Sequence, residues 1–240
     1  MTQEWAVVAG ASGALGSAIS DGLRQRGLTV LGLARHSHPG ADMMEVDLVD
    51  DESVAAIGGR ITGPVRVVVH AAGPPLAGSV NDVEPGSVLA AIDIKVNGLL
   101  RLVRAVDDKF VRGSRIVAVT GNLGYDPIPA SVTAGVANAA MAALVRQLAR
   151  AYGPRGITCH AVAPGPVDSP RVDRLIEHVA NAGEITVEEA RSHLLAEASV
   201  DRFITPQDVA WAVSLLLDDS ADVMNGSTLL LDGGRRTAIP

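Results

Sequence analysis

The chain has 240 residues, of which 48% are hydrophobic, and it carries a formal net charge of -7 without any run of basic residues. That length suits one α/β domain with a well-covered core, and the negative charge disfavours nucleic acid and acidic lipid headgroups as partners. One cysteine excludes an internal disulfide, and the absence of a signal-peptide pattern or of an apolar run of about 20 residues predicts a cytoplasmic protein.

The chain opens with a strand, a glycine-rich turn and a helix. Residues 5–9 form a short apolar run, and residues 17–25 carry apolar side chains at helical spacing. Glycines at positions 10, 13 and 16 allow a tight turn, backbone approach to a pyrophosphate and close packing of the helix on the sheet. The helix N-terminus adds free N–H groups. The expected contacts of a dinucleotide here are Gly10, Ser12, Gly13, Leu15 and Gly16.

The end of the second strand, residues 28–34, normally decides which dinucleotide is bound. An Asp or Glu at this point would bond the ribose 2′-hydroxyl and exclude a 2′-phosphate. The chain has Ala34, Arg35 and His36 there, and a guanidinium makes forked contacts with phosphate. NADP(H) is therefore favoured over NAD(H), although Arg35 could also be a solvated loop cation. His36 and His38 are expected to be loop residues, and no metal site is predicted.

Two further strands continue the same pattern. Residues 44–48 are the third strand, in which Asp47 is placed to accept a bond from an adenine amino group, with Leu48 beside it. Residues 65–70 are the fourth strand and lead into Ala71, Ala72 and Gly73, a small-residue turn that lets the backbone approach a ribose. Strands alternating with helices about every 30 residues indicate a parallel sheet with right-handed crossovers.

The middle of the chain carries two long helices. Residues 89–106 are an amphipathic helix that contains Asp93, Lys95 and Asn97, and Lys95 is expected on its solvated face. Residues 115–120 are the fifth strand. Residues 133–152 form an Ala-rich helix that Gly153 and Pro154 terminate.

The last third completes the pattern. The sixth strand, residues 157–162, leads into a stiff turn at a strand end, where ligands bind in open α/β sheets; its expected cofactor contacts are Pro164, Gly165, Val167 and Ser169. Residues 171–200 are polar, with two helical patches around a break at residues 181–183, and predict a lid. A helix over 206–217 and a seventh strand over 228–231 follow.

These elements predict one α/β domain over residues 1–240: a Rossmann-type, doubly wound fold with a parallel seven-stranded sheet and helices on both faces. Residues 1–110 are mainly the dinucleotide-binding half, and residues 111–240 are the substrate half.

The motifs resemble those of the short-chain dehydrogenase/reductase family over the whole chain. They are the three glycines of residues 10–16, Asp47 in a Val-Asp-Leu run, Ala71-Ala72-Gly73 at the family's Asn-Ala-Gly turn, Asn97 in Val-Asn-Gly, the Ala-Pro-Gly-Pro-Val run at 163–167, and the terminal Asp232-Gly233-Gly234. The resemblance implies homodimers or homotetramers, with the helices at 89–106 and 133–152 as the interface. One departure from the family is Ala14, which stands where common members have their second glycine.

The larger departure is catalytic. The resemblance implies a tetrad of Asn, Ser, Tyr and Lys, in which Tyr exchanges a proton with the carbonyl oxygen and Lys lowers the pKa of that Tyr. Asn97 matches the Asn, but Gly121, Ala134 and Asn138 stand at the Ser, Tyr and Lys positions. Because all three replacements are smaller, the sequence predicts an enlarged floor of the substrate pocket.

Three functions stay open for such a chain. The first is an NADPH-dependent ketoreductase acting on an activated aromatic or polycyclic, quinone-like ketone. Its proton comes from water, from the substrate itself or from another side chain, of which Tyr125 is the best candidate, and Asn122 could hydrogen-bond the carbonyl oxygen. The second is a catalytically silent sensor or partner protein that binds NADP(H). The third is a scaffold used for dehydration, cyclisation or isomerisation. Loss of a positioned acid is worth about 10²- to 10⁴-fold in rate.

Overall fold

The computed structural model describes residues 3–36, 42–74 and 78–235, and its centre is a parallel sheet of seven strands in the order β3-β2-β1-β4-β5-β6-β7. The predicted fold class is confirmed. The strands are β1 (Trp5–Ala9), β2 (Thr29–Ala34), β3 (Met43–Glu45), β4 (Val65–His70), β5 (Phe110–Val119), β6 (Thr158–Pro164) and β7 (Thr228–Leu231). Strand β3 is shorter than predicted, and β5 begins five residues earlier.

Eight α-helices connect or follow these strands in the described part of the chain. They are α1 (Ala14–Gln25), α2 (Asp51–Ala55), α3 (Pro85–Ile92), α4 (Gly98–Ala105), α5 (Val132–Tyr152), α6 (Pro170–Gly183), α7 (Val187–Ala196) and α8 (Pro206–Leu215). The helix predicted over residues 89–106 is therefore two helices, and a π-turn over Asp93–Asn97 separates them.

The sheet is covered on both faces, which is why its strands are nearly continuous runs of Val and Ala. Alternate side chains such as Val8 and Val69 face α1 and α8. Their neighbours, such as Val7 and Val68, face α4 and α5. The two layers of helices leave only the loops at the strand ends free to carry a site.

Helix α5 is the described segment most like a membrane span in length and composition. The apolar stretch Val132–Arg155 has a mean hydropathy of 1.2, and 50% of it is buried within the fold. Met141 and Val145 pack into the core under β5 and β6. This burial is the behaviour of a core helix of an α/β sheet.

The strand order reverses between β1 and β4, because β1 runs beside β2 on one side and beside β4 on the other. The turns that follow β1 and β4 leave the sheet in opposite directions and open a crevice at its carboxyl edge. Ligands of doubly wound sheets bind in that crevice. The loops after β5 and β6 lie at the same edge, so the topology places the site there.

The predicted lid is a helical hairpin of α6 and α7. Its turn lies at residues 184–186, slightly later than predicted, and Glu184 adopts a left-handed backbone with φ 50°. Thr186 and Glu189 close a capping box at the start of α7. The hairpin has a small apolar core of its own, which includes Val172, Ile176 and Phe203.

Candidate active site

The turn after β1 is a cradle that only glycine can form. Gly10 has φ 83°, and a Cβ on it would lie 2.7 Å from the Ala72 backbone nitrogen. A Cβ on Gly16 would overlap the carbonyl oxygen of Gly10. Helix α1 starts after Gly13 with no side-chain cap and no acidic residue in its first turn. Its free N–H groups and positive dipole end therefore fit a pyrophosphate.

A cavity of about 430 Å³ opens beyond β2 and β3, and its lining residues are Arg35, His36, Glu45, Asp47 and Ser53. The volume lies within the range of small-ligand pockets. Arg35 is exposed and pairs with no carboxylate among the described residues. Glu45 is level with Ala34 across the β2–β3 pairing. The cavity thus offers a guanidinium suited to a phosphate and a carboxylate suited to a hydroxyl.

The predictions for the loop after β2 fall partly outside the described residues. Asp47 is exposed, and its side chain accepts a bond from the Val49 N–H at 3.2 Å. Leu48 is 7% exposed. Ser37 and His38 lie outside the described residues. No cluster of three or more His, Cys, Asp or Glu side chains that could hold a metal occurs in the described ranges.

The turns after β4 and β6 complete the carboxyl edge. Ala71 donates its N–H to the Ala9 carbonyl at 2.9 Å, which ties the turn at Ala71, Ala72 and Gly73 to β1. Gly165 donates to the Leu231 carbonyl at 2.9 Å. The structure thus places the predicted cofactor residues Pro164, Gly165, Val167 and Ser169 on the same edge as the glycine cradle. Their contacts with a cofactor stay a prediction.

The π-turn between α3 and α4 has an identifiable cause. His70, at the end of β4, reaches the carbonyl oxygen of Ile94 with its Nε2 at 3.0 Å. Gly98 permits this approach, since a Cβ there would lie 3.3 Å from the same nitrogen. Burial and then the charge of Lys95 lower the pKa of His70 to about 4. The ring is therefore neutral and donates to the opened helix, and π-turns of this kind are frequent at functional sites.

Lys95, expected on a solvated face, is instead 9% exposed. Its Nζ donates to the carbonyl oxygens of Val119 at 3.3 Å and Thr120 at 3.4 Å, at the end of β5. Burial, followed by the nearby charge of Arg171, lowers the pKa of Lys95 to about 8. The expectation was wrong because the core-facing stripe of this helix runs through Ala91, Lys95 and Leu99.

Asn97 is exposed and turned away from this edge. Its amide donates to the Asp93 carboxylate at 2.9 Å, and Asp93 in turn pairs with Arg101 at 2.9 Å. The Asn97 and Arg101 hydrogen bonds lower the pKa of Asp93. The structure therefore does not bring Asn97 together with the other predicted catalytic residues, and Lys95 is the residue of this helix that reaches the site.

At Gly121 the structure does not show the predicted enlargement of the pocket floor, whereas the space beside Ala134 stays a prediction. A Cβ on Gly121 would lie 2.7 Å from Asn138 Nδ2, and one on Gly124 would lie 2.8 Å from the Asn138 backbone carbon. The turn over Asn122–Gly124 thus packs directly on α5. The small residues permit this close packing, so they do not leave space for a bulky ligand beneath the turn.

Tyr125 and Asn122, the two other predicted catalytic residues, lie on that turn. The Tyr125 hydroxyl is 2.6 Å from Thr228 Oγ1 on β7. The Asn122 carbonyl accepts the N–H groups of Tyr125 at 2.9 Å and Asp126 at 3.0 Å. Tyr125 thus has a structural partner away from the glycine cradle. The catalytic roles of both residues stay predictions.

We expect a Tyr125→Phe variant to keep the turnover of the parent within about twofold, because the Tyr125 hydroxyl is engaged by Thr228. Removing that hydrogen bond should lower the free energy of unfolding by about 0.5–1.5 kcal/mol. Urea denaturation and initial rates on one batch of protein measure both quantities. A loss of about 10²-fold in rate at unchanged stability would restore Tyr125 as the acid.

The sequence did not predict three features of the site: the position of Arg171, the position of Lys95, and two buried oxygen atoms on α5 without a hydrogen-bond partner among the described residues. Arg171, at the start of α6, places Nη1 3.9 Å from where a Gly73 Cβ would stand, and Lys95 Cε lies 3.7 Å from the same point. Asn138 Oδ1 and Thr133 Oγ1 are buried without a hydrogen-bond partner among the described residues. Helical spacing of Lys95 with apolar neighbours was a signal for its burial. The others depend on contacts between distant elements.

The chain is similar to known reductases along nearly all of its length. A family model described as enoyl-(acyl carrier protein) reductase matches residues 10–236. An uncharacterized oxidoreductase of Bacillus subtilis, YmfI, is 26% identical over 246 residues, which cover 95% of this chain and 97% of that protein. A putative ketoacyl reductase of Streptomyces coelicolor is 25% identical over 251 residues, 96% of each chain. The structure of an actinorhodin polyketide ketoreductase matches with a TM-score of 0.89 at 23% identity over 98% of both chains.

Proposed function

The chain belongs to the short-chain dehydrogenase/reductase family, and on that premise we propose that it is an NADP(H)-dependent reductase of an activated carbonyl compound. The observation that carries the proposal is the glycine cradle after β1, at the point where the strand order of the sheet reverses between β1 and β4. Gly10 and Gly16 leave no room for any side chain, and the uncapped start of α1 faces the crevice. These contacts hold the turn close to α1 and to the turn after β4, so that the free N–H groups of α1 stay exposed to a pyrophosphate.

When bound, the nicotinamide ring supplies a hydride to a carbonyl carbon. The residues of this chain have two tasks in that reaction. The cradle and the cavity at Arg35 hold the dinucleotide in one orientation, and the turn at Gly73 and the run after β6 border the reacting end. Orientation of this kind removes much of the entropic barrier of a bimolecular reaction.

The preference for NADP(H) rests on Arg35. The guanidinium stands free of carboxylate partners in the described residues and lines the cavity beyond β2. A forked contact with the 2′-phosphate is stronger than a neutral hydrogen bond. The similar actinorhodin polyketide ketoreductase was crystallised with NADPH. Glu45 lines the same cavity, and its carboxylate would repel the 2′-phosphate. The attraction between Arg35 and the phosphate must therefore exceed this repulsion.

We expect an Arg35→Ala variant to bind NADPH about 10- to 100-fold more weakly, a loss of roughly 1.5–3 kcal/mol for a hydrogen bond to a charged group. Binding of NADH should change less than about threefold, because its 2′-hydroxyl carries no negative charge that the guanidinium would bind. Fluorescence titration of both cofactors measures the two constants. Equal losses for the two cofactors, or tighter NADH binding by the parent, would contradict the assignment.

The proposed substrate is a planar, activated ketone of the aromatic or quinone-like class. Such a carbonyl needs less help from an acid than a simple ketone does, which suits a chain with Ala134 at the Tyr position. The closed floor under Gly121 favours a flat molecule that enters from the carboxyl edge. The relatives named as ketoacyl and polyketide ketoreductases act on ketones according to their names.

The test is NADPH oxidation, followed by its absorbance, against a panel of quinones and aromatic ketones. Turnover of at least one planar activated ketone is expected. Tight NADPH binding without turnover of any compound would instead favour a sensor or partner protein. Product formation without cofactor oxidation would favour dehydration, cyclisation or isomerisation.

A further inference from the structure

We propose that Lys95 is the proton donor of this site, and that the chain has exchanged the Asn and Lys of the family's tetrad between two helices. The resemblance implies an Asn from the helix after β4 and a Lys from the helix after β5. In this chain the first helix supplies Lys95 and the second supplies Asn138. The inference rests on the proposed reductase function and names its missing acid.

The geometry behind this exchange is a shared point of approach. Lys95 Nζ lies 3.4 Å from the carbonyl oxygen of Thr120. Asn138 Nδ2 lies 2.7 Å from where a Gly121 Cβ would stand. Thr120 and Gly121 are consecutive. Lys95 therefore approaches the peptide that joins them from the π-turn, and Asn138 approaches it from α5. Both are buried, at 9% and 5% exposure.

The amine also borders the cofactor crevice. Its Cε is 3.7 Å from the Cβ position of Gly73, in the turn after β4. That turn packs on the glycine cradle through Ala72 and Gly10. Lys95 therefore stands between the end of β5 and the place where the nicotinamide end of a dinucleotide would lie in this topology.

No carboxylate of the described residues pairs with this cation. The charged and titratable groups that face Lys95 from packed elements are Arg171 of α6 and neutral His70 of β4. Asp93, two residues away, is turned outward and paired with Arg101. Burying an amine without a counter-charge is costly, and such groups cluster at functional sites. The uncompensated positive charge suits an oxygen that becomes negative during reaction.

The surrounding groups set this amine up as an acid at neutral pH. Burial lowers its pKa to about 8, which is close to the value at which proton transfer is most effective. His70 cannot substitute, because its pKa of about 4 leaves it unprotonated. The unpartnered Oδ1 of Asn138 and Oγ1 of Thr133 are further buried polar atoms at α5 that water or a substrate oxygen could satisfy.

The step balances with the proposed cofactor. The carbonyl carbon receives a hydride, with its electron pair, from NADPH, which leaves as NADP⁺. The carbonyl oxygen forms an O–H bond with the proton of the Lys95 ammonium, whose N–H bond breaks. The neutral amine then regains a proton from water. The ketone is reduced to an alcohol, and Lys95 ends the cycle unchanged.

The sequence allows a direct test, because Lys95 and Lys109 are its only lysines. Protein grown with ¹³C-labelled lysine should give two side-chain Cε signals, and Lys95→Met assigns them. We expect the Lys95 signal to titrate near pH 8, well below the ordinary lysine value of about 10.4, and to shift on addition of NADP⁺. An ordinary titration midpoint, or no response to NADP⁺, overturns the proposal.

Variants separate the acid from a structural role. Lys95→Met should lower turnover of a quinone such as 9,10-phenanthrenequinone by about 10²- to 10⁴-fold, while NADPH affinity stays within about threefold and the melting temperature holds or rises. Lys95→Arg keeps the charge, but the pKa of a guanidinium lies far above that of this amine, which makes arginine a poor proton donor. In the parent, kcat should fall above pH 8, because Lys95 loses its proton there. In Lys95→Arg this fall should be absent and most of the rate should be lost.

The matched control is Lys109→Met, which changes the same side chain beside Asp108, where it pairs at 3.2 Å on the surface. It should leave turnover and its pH profile unchanged. Parent-like turnover by Lys95→Met overturns the proposal. A lower melting temperature with lost cofactor affinity in both Lys95 variants identifies a structural residue and overturns it too. If the parent reduces no compound of the panel, the proposed reductase function is wrong. The lysine titration with NADP⁺ still shows whether the Lys95 amine borders the cofactor site.

Discussion

Replacing Gly16 with alanine is expected to remove NADPH binding, with Kd raised by at least about 100-fold, or roughly 2.7 kcal/mol. A Cβ at this position would overlap the carbonyl oxygen and carbon of Gly10 and approach Cα of Ala11. All three are backbone atoms of the cradle, so no side chain can move to relieve the overlap. Helix α1 must shift away from the turn, and its N-terminal N–H groups move with it.

Fluorescence titration of NADPH measures this loss, and circular dichroism shows whether the fold survives. The matched control is Gly59→Ala, because a Cβ there meets no atom within 4 Å. It is the same chemical change in open space and should leave the NADPH Kd unchanged. Binding by Gly16→Ala within about threefold of the parent would show that the cradle does not hold the cofactor.

The fold could be predicted from the sequence because its signals are local. Strands such as β1 and β4 are buried on both faces, so they stand out as short runs of Val and Ala. The turn after β1 could be predicted because its glycines follow a strand and open a helix, and at Gly10 and Gly16 a Cβ would overlap backbone atoms. A parallel sheet and a binding edge follow from the alternation of strands and helices. The strand order does not, because doubly wound sheets occur in more than one order.

The catalytic part could be predicted only in outline, because it depends on contacts across the sheet. The π-turn exists because His70, 24 residues earlier, bonds the carbonyl of Ile94. A motif comparison fixed on Asn97 as the residue type the family requires, whereas burial selects Lys95. The helical spacing of Lys95 with Ala91 and Leu99 was visible, but a general preference of lysine for solvent outweighed it.

The floor of the site shows the same limit. Smaller residues at Gly121 and Asn138 suggested added space, on the assumption that the surrounding backbone stays in place. Protein interiors are close-packed, so the turn at residues 122–124 settles on α5 instead. Volume removed from side chains is a reliable guide to a cavity only where the neighbouring backbone is held by other contacts, which a sequence does not show.

Replacing Arg115 with methionine is the second large effect that we expect, a loss of about 2–4 kcal/mol in the free energy of unfolding, because several hydrogen bonds from one charged donor are removed together. The side chain is 0% exposed although it carries a charge. Its guanidinium donates to the carbonyl oxygens of Leu216 at 2.7 Å, Gly113 at 3.0 Å and Asp218 at 3.2 Å. It also pairs with Asp222 at 2.8 Å.

Methionine fills a similar length but donates no hydrogen bond, so the buried carbonyl of Leu216, directly after α8, loses its donor. The carbonyls of Asp218 and of Gly113 in β5 are partly buried, and Gly113 keeps a bond from Arg66. Each unsatisfied group costs about 1–3 kcal/mol, whereas half-exposed Asp222 regains water. Denaturation with guanidinium chloride measures the loss. The control is Arg24→Met, which removes a surface pair with Asp21 at 3.0 Å and should cost less than about 1 kcal/mol. Equal stability of the two variants would show that Arg115 does not tie α8 to β5, the strand whose end carries Thr120 and Gly121.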